Sequence, residues 1–167
     1  MNKFITCKIT YKAVYIMVWD GFNIIDYRTF DKRFKQRIEL LTDIKHGLTV
    51  YDIIYFDETN EFNSFLSGAI KINIHRKPFK NENYKNLKHQ LYFYLIKFMK
   101  SNRIKIKCNI PKDQLLLERE QLKQYKYDTD DRLQILPRDQ IIENIGHDIN
   151  IVDTMSYIMF AVLKGLG

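Results

Sequence analysis

Acidic side chains stand at two places in this sequence where an apolar segment ends or begins. Asp57 and Glu58 follow the apolar run YDIIYF, and His147, Asp148 and Asp153 accompany the start of an apolar C-terminal segment within GHDINIVDTMSY. Cutting a phosphodiester with metal ions needs carboxylates that converge from separate elements, because acidic side chains must hold two divalent ions while phosphate oxygens and water complete their coordination. Asp57, Glu58 and Asp153 are therefore candidate metal ligands, with Asp57 and Asp153 as the candidate catalytic pair, and His147 beside Asp148 is a further candidate ligand.

Each of these acids also has a purely structural interpretation. An acidic pair after a strand is usually a turn, and a lone His147 is explained equally well as a residue at a helix start. Asp153 lies among apolar residues, where a carboxylate is expensive to bury unless a cation meets it. However, Asn150, Asp153 and Tyr157 share a helix face at three- and four-residue spacing, and that face could simply be the one turned to water. The residues alone leave both interpretations open.

The elements that must position these acids alternate between strands and helices. Apolar runs predict strands over residues 3–11, 12–21, 22–30, 51–57, 69–75 and 104–107. The second and third of these strands form a hairpin that turns at Asp20-Gly21. Helical spacing of apolar residues predicts helices over 29–45 and 83–103. End signals predict further helices over 112–124 and 138–146, and a last helix that starts at Asp148 as its N-cap. The run YKYDTDDRLQI predicts an added β-hairpin. The fold class is therefore α/β, a mixed central sheet flanked by helices.

Composition points to one folded, intracellular domain. The 167 residues are 46% hydrophobic and 14% aromatic, enough for a substantial core. The two cysteines, Cys7 and Cys108, are far apart and form no CxxC pair, which favours reduced thiols in the cytoplasm. No apolar window is long enough to cross a membrane. The sequence contains no GxxxxGK(S/T), GxSxG or HExxH motif, which argues against a self-contained NTPase and the common hydrolase classes.

The net charge of +7 is concentrated in one segment. Residues 71–107 contain eleven Lys or Arg and a single acid, whereas the rest of the chain holds sixteen basic and nineteen acidic residues. Such a block is typical of a surface that binds a polyanion, most often nucleic acid, although a solvated lysine-rich helix face gives the same pattern. The candidate nucleic-acid-binding residues are Arg76, Lys77, Lys80, Lys85 and Lys88.

Several segments of the second half occur in an order that resembles a known family. A helix NYKNLKHQLYFYLIKFM is followed by a strand and helix IKIKCNIPKDQLLLEREQLKQ, the hairpin YKYDTDDRLQI, the helix RDQIIENIG and the closing element HDINIVDTMSY. From about residue 66 to 163 this order resembles the C-terminal nuclease domain of phage large terminase subunits, which has a ribonuclease-H-like fold. The resemblance implies that 1–167 is a single nuclease-like domain.

The resemblance also assigns roles to individual acids. The sequence departs from the family pattern at two places, namely the closing element, whose motif glycine and proline are altered, and the first strand. Asp153 matches the family's metal-binding aspartate of the final helix, with Asp148 as the fallback, and Asp57 matches the acid at the end of the fourth strand. The family's first strand carries a third metal-binding aspartate, where FITCKITY offers Cys7 or Lys8 instead. Losing one of three carboxylates would weaken metal binding severely, and a nearby lysine would put its own positive charge where the metal ion would lie.

Two functions follow from the resemblance. The first is a metal-dependent DNA endonuclease that uses two Mg²⁺ or Mn²⁺ ions to cut concatemeric double-stranded DNA during genome packaging. Its expected partners are the terminase ATPase domain, the small terminase subunit and the portal, with the host cytoplasm as location. The second is a catalytically degenerate nucleic-acid-binding or packaging-assembly module on the same fold. A third, structural role would leave the lysines as mere solvated surface.

Overall fold

The computed structural model describes residues 3–31, 39, 42, 46, 51–60 and 68–166. Its strands are β1 (Lys3–Ile9), β2 (Ala13–Asp20), β3 (Asn23–Asp31), β4 (Asp52–Asp57), β5 (Ile70–Lys71), β6 (Lys105–Ile106), β7 (Tyr125–Tyr127) and β8 (Leu133–Ile135). Its helices are α1 (Leu87–Lys100), α2 (Lys112–Leu122), α3 (Arg138–Ile145), α4 (Asn150–Ser156) and α5 (Ile158–Lys164), with a 3₁₀ turn at Phe79–Asn81. Among these described helices, none has the length and apolarity that a bilayer crossing would require.

Six strands form a mixed sheet with β1 inside it. The strand order is β5-β4-β1-β2-β3-β6, while β7 and β8 form a separate antiparallel hairpin. Strands β1, β2 and β3 run antiparallel to their neighbours in sequence, and β4 returns parallel to β1. The predicted α/β fold with a mixed sheet, flanking helices and an added hairpin is therefore confirmed.

The two faces of β1 have different surroundings because side chains alternate along a strand. Phe4 belongs to the larger hydrophobic cluster, which also contains the buried faces of α1, α4 and α5. Ile5, Cys7 and Ile9 belong to a second cluster with residues of β2 and β4. Alternation therefore turns Lys8, like Phe4, toward the side of the sheet that carries the helices.

Some predicted boundaries differ from the structure. Helix α1 begins at Leu87 rather than at residue 83, because Asn86 caps it by accepting the His89 amide and Lys85 donates its amide to the Leu133 carbonyl of the hairpin. The predicted strand 69–75 shrinks to β5. Residues 29–31 continue β3, so the predicted helix over 29–45 does not begin at Thr29; nearly all the rest of it lies outside the described residues.

The last predicted helix is two short helices, and Asp148 is not its N-cap. Helix α4 starts at Asn150 and α5 follows Tyr157, which itself keeps helical backbone angles. The first amides of α4 are instead satisfied from another helix, since the Glu118 carboxylate of α2 accepts from the amides of Ile151 and Val152. Asp148 Oδ1 accepts the Ile149 amide at 2.8 Å, and its Oδ2 contacts Lys8 and Arg138.

Candidate functional site

The ammonium group of Lys8 lies at the centre of the candidate site. Its Nζ donates to Oδ2 of Asp153, to Oδ1 of Asn150 at 2.9 Å and to Oδ2 of Asp148 at 3.5 Å. Only 5% of Lys8 and 7% of Asp153 is exposed, and Tyr157 is buried as well. The face shared by Asn150, Asp153 and Tyr157 is therefore not turned to water, and Asp153 faces a lysine.

Tyr92 of α1 completes the surroundings of the Asp153 carboxylate. Its hydroxyl donates to Oδ1 of Asp153, while Lys8 occupies Oδ2, so each carboxylate oxygen accepts a hydrogen bond from a buried side chain. Burial, and then the Asp153 carboxylate, raise the pKa of Tyr92 well above its usual value. The phenol consequently stays protonated and remains a donor at neutral pH.

The electrostatics keep Lys8 charged. Burial alone would lower the pKa of Lys8, but the carboxylates of Asp153 and Asp148 raise it above the ordinary value. For Asp148, burial raises the pKa, whereas Lys8, the Ile149 amide and Arg138 outweigh it and hold the pKa below its usual range. At neutral pH the group is therefore a buried cation surrounded by carboxylate and amide oxygens.

Arg138, at the start of α3, extends this network toward β4. Its Nε contacts Oδ2 of Asp148 at 3.0 Å and its guanidinium lies 3.5 Å from Oε1 of Glu58. His147 does not join the network, because its Nδ1 contacts the main-chain carbonyl of Asp148 at 2.8 Å and its side chain does not line the cavity beside the site. The network thus brings together Glu58 and Asp148, but not His147.

Asp57 and Glu58 point in different directions. In the parallel register, Asp57 stands beside Ile9 of the second cluster, and Phe56 stands beside Lys8. The Asp57 carboxylate accepts from the amide and hydroxyl of Thr59, at 2.9 and 2.7 Å. Burial and then Asp57 raise the pKa of Cys7, which faces away from Lys8. Asp57 lines the cavity wall, but its carboxylate is oriented toward the opposite face of the sheet from Lys8.

A cavity of about 820 Å³ opens beside these groups. Its lining combines carboxylates with cations, namely Lys8, Asp57, Glu58, Lys71, Lys88, Arg138, Asp148 and Asp153. A smaller groove of about 290 Å³ shares Lys88, Arg138 and Asp148 with it and adds Lys85. The two hollows together form one basic-rimmed surface above the Lys8 network.

The predicted nucleic-acid-binding residues divide into two groups. Lys88 lines the cavity and the groove, and Lys85 lines the groove. Arg76, Lys77 and Lys80 are exposed on the loop before α1 but line neither hollow, and the Arg76 guanidinium stacks 4.0 Å from the Phe79 ring centre. These placements leave their role in binding a prediction.

Two basic residues of the rim were missed by the sequence analysis. Lys71 was counted in the basic segment, and Arg138 opens the helix RDQIIENIG that supports the family resemblance, yet neither was assigned to binding. Lys71 could have been found from its place on a strand next to β4. Asp20 and Asp26, the nearest acids to the first strand, do not line the cavity, and Asp26 instead pairs with Arg28.

The residues do not fit a divalent ion in this arrangement. Glu58, Asp148 and Asp153 supply the oxygen ligands that Mg²⁺ and Mn²⁺ prefer, but the Lys8 ammonium lies among them and both oxygens of Asp153 are engaged. Over the part of the chain that the structure describes, no three His, Cys, Asp or Glu side chains are grouped so as to hold a metal.

Glu118 is a further buried acid, and it supports the helix that carries Asp153. It is 0% exposed, and besides the α4 amides it accepts from the Gln114 side chain at 3.0 Å. Burial raises its pKa to about 7 despite these hydrogen bonds. Sequence analysis missed it because a glutamate in an exposed-looking helix such as KDQLLLEREQLKQ carries no sign of burial.

The strand order, the helices on the β1 face and the acidic end of the sheet define the class of the domain as ribonuclease-H-like. It is similar to the nuclease domain of the large terminase subunit gp2 of bacterial virus Sf6, solved with manganese as a lysine-to-alanine variant. The two sequences are 11% identical. The superposition covers 95% of this chain and 88% of the Sf6 chain, with a TM-score of 0.70.

Two other solved structures agree. The large terminase nuclease from thermophilic phage G20c is 11% identical, with 93% and 80% coverage and a TM-score of 0.59. The large terminase nuclease domain of Thermus phage P74-26 is 12% identical, with 93% and 77% coverage and a TM-score of 0.58. No protein-family model matches the sequence, and no curated protein matches it either. The predicted resemblance is thus confirmed at the level of the fold.

Proposed function

We propose that this chain is a double-stranded-DNA-binding domain of the terminase nuclease type, a single domain over 1–167 that works in viral genome packaging without metal-dependent cutting. One observation carries the proposal: the cavity that accompanies this fold is rimmed by Lys71, Lys88 and Arg138, while Lys8 occupies its carboxylate centre. The rim suits phosphate oxygens, because cations on one surface hold a backbone without reading its sequence.

The second candidate is the metal-dependent endonuclease that cuts concatemeric DNA. It is favoured by the presence of Asp57, Glu58 and Asp153 along one cavity and by the manganese in the Sf6 gp2 structure. Mg²⁺ or Mn²⁺ would be its cofactor, but the ion would have to displace Lys8 from Asp153. In either case the expected partners are a terminase ATPase domain, a small terminase subunit and a portal, in the host cytoplasm.

A plasmid experiment separates the candidates. Purified protein is incubated with supercoiled plasmid at low salt, with Mg²⁺, with Mn²⁺ or with EDTA, beside a Glu58→Gln variant. We expect a gel shift in every condition and no cutting. Cutting that requires metal and is lost in Glu58→Gln would establish the endonuclease, whereas the absence of any shift at low salt would reject DNA binding itself.

A further inference from the structure

We infer that the Lys8 ammonium is a built-in cation that permanently takes the place of a divalent ion at the Asp148 and Asp153 carboxylates. The wild-type protein would then hold β1 and α4 together through Lys8 and without a metal ion. The inference rests on the part of the proposed function that excludes metal-dependent cutting, and it deepens that part by stating what the carboxylates bind. Whether the domain holds DNA is a separate question with its own test.

The first argument is occupancy. The Lys8 ammonium donates three hydrogen bonds, to Asp153, Asn150 and Asp148. Three is the number of hydrogen bonds that an ammonium group can donate. Tyr92 takes the remaining oxygen of Asp153 from the other side. A metal ion would have to break these buried contacts before it could reach the carboxylate.

The second argument is charge. An ammonium and a divalent cation that share the same carboxylates repel each other, and the repulsion is strong where water is largely excluded. Lys8 cannot move its charge into water without leaving its position, because it is 5% exposed and anchored in the middle of the sheet. It also stays protonated, since its two acidic neighbours favour the charged form.

The third argument is the orientation of the acids around position 8. Strand alternation places Lys8 and Phe56 on the same face of the sheet and Asp57 on the opposite face. The Glu58 amide donates to the Ile9 carbonyl, which continues the strand pairing by one residue and places Glu58 on the same face as Lys8. Arg138 links Glu58 to Asp148, which contacts Lys8. Lys8 therefore contacts Asp148 and Asp153 directly, and Glu58 joins the same network through Arg138.

Manganese binding tests the inference directly. Wild type, Glu58→Gln, Lys8→Asp and the double variant Lys8→Asp/Glu58→Gln are titrated with MnCl₂ alone, and bound ion is followed by electron paramagnetic resonance and by the shift in Tm. We expect wild type and Glu58→Gln to bind equally weakly. Lys8→Asp should gain a saturable site, at least about tenfold tighter than wild type, because a repelling charge is replaced by a ligand.

The double variant should lose the gained site, and Asp57→Asn added to Lys8→Asp should keep it. A saturable manganese site in wild type that Glu58→Gln removes would overturn the inference, and this comparison does not depend on Lys8→Asp folding. A folded Lys8→Asp protein that gains no site would overturn it as well. A plasmid shift in EDTA, measured on the same wild-type sample, reports on the proposed function separately.

Discussion

Lys8 of β1 and Asp153 of α4 form a buried ion pair between residues 145 positions apart in the sequence. The pair ties the central strand to the helix that packs over it, and Tyr92 adds a contact from α1 to the same carboxylate. Three elements of the fold thus meet at one charge. This arrangement answers the question raised by an acid in an apolar helix, since the cation that offsets its burial comes from the protein.

Breaking this pair from one side should be costly. Lys8→Met removes the cation but leaves Asp153 buried, so we expect the free energy of unfolding to fall by about 3–5 kcal/mol. Lys8→Met/Asp153→Leu should recover much of this loss, because no uncompensated charge remains. Urea unfolding followed by circular dichroism measures both. Asp153→Leu is measured in the same way. If the loss in the double variant equals the sum of the losses in Lys8→Met and Asp153→Leu, the two residues are not coupled.

Removing the Tyr92 hydroxyl should destabilise the protein to a smaller degree. Tyr92→Phe leaves one oxygen of the buried Asp153 carboxylate without its donor, and we expect a loss of about 1–3 kcal/mol in urea unfolding. The matched control is Tyr127→Phe, because Tyr127 is 61% exposed in β7. Equal effects of the two substitutions would contradict the role given to the Tyr92 hydroxyl.

Glu118 should make stability depend on pH. Its pKa is about 7 in the folded protein against an ordinary 4.5, so the folded state holds this proton more tightly than the unfolded state. The free energy of unfolding should therefore fall as pH rises from about 4.5 to about 7, by at most about 3 kcal/mol from this group, and stay level above.

Glu118→Gln isolates this effect. The neutral amide cannot ionise, so the variant should not lose stability from this group as pH rises from 5 to 7. The free energy of unfolding of the variant should therefore rise relative to that of wild type over this range. Thermal unfolding at a series of pH values measures it. Glu120→Gln is the matched control, since Glu120 lies on the same helix with an exposed side chain. Parallel pH profiles for wild type and Glu118→Gln would refute the assignment.

Charge reversal at the groove should weaken DNA binding. Lys85→Glu and Lys88→Glu each replace a cation that lines the groove, and we expect affinity for duplex DNA to fall about tenfold at 100 mM salt, with the salt slope reduced by about one per residue. Fluorescence anisotropy over a salt series measures both quantities.

Lys3→Glu is the control for these variants. It makes the same change in net charge at the start of β1, away from the end of the strand that carries Lys8. It should reduce affinity only slightly. If all three variants lose the same affinity, the effect is one of net charge and the groove is not the binding surface.

Much of the fold could be predicted because the relevant patterns are local. Short apolar runs predicted β1 to β4, and apolar residues at helical spacing predicted α1, because burial of one face repeats every two residues in a strand and every three to four in a helix. Residues at the helix ends predicted α2 and α3. The boundaries that failed, at residues 83–86 and at Asp148, depend on partners elsewhere in the fold, namely the hairpin and Glu118.

By itself the sequence determined that Asp153 would need a cation if it were buried, that the first strand offered Cys7 or Lys8 in place of an acid, and that the order of elements in the second half resembles a terminase nuclease domain. Only the tertiary structure decided that Asp153 is buried against Lys8, that Glu58 joins the network through Arg138, and that Tyr92 and Glu118 hold the helix in place. The physical reason is that alternation and spacing act over a few residues, whereas these contacts arise from strand register and helix packing between distant segments.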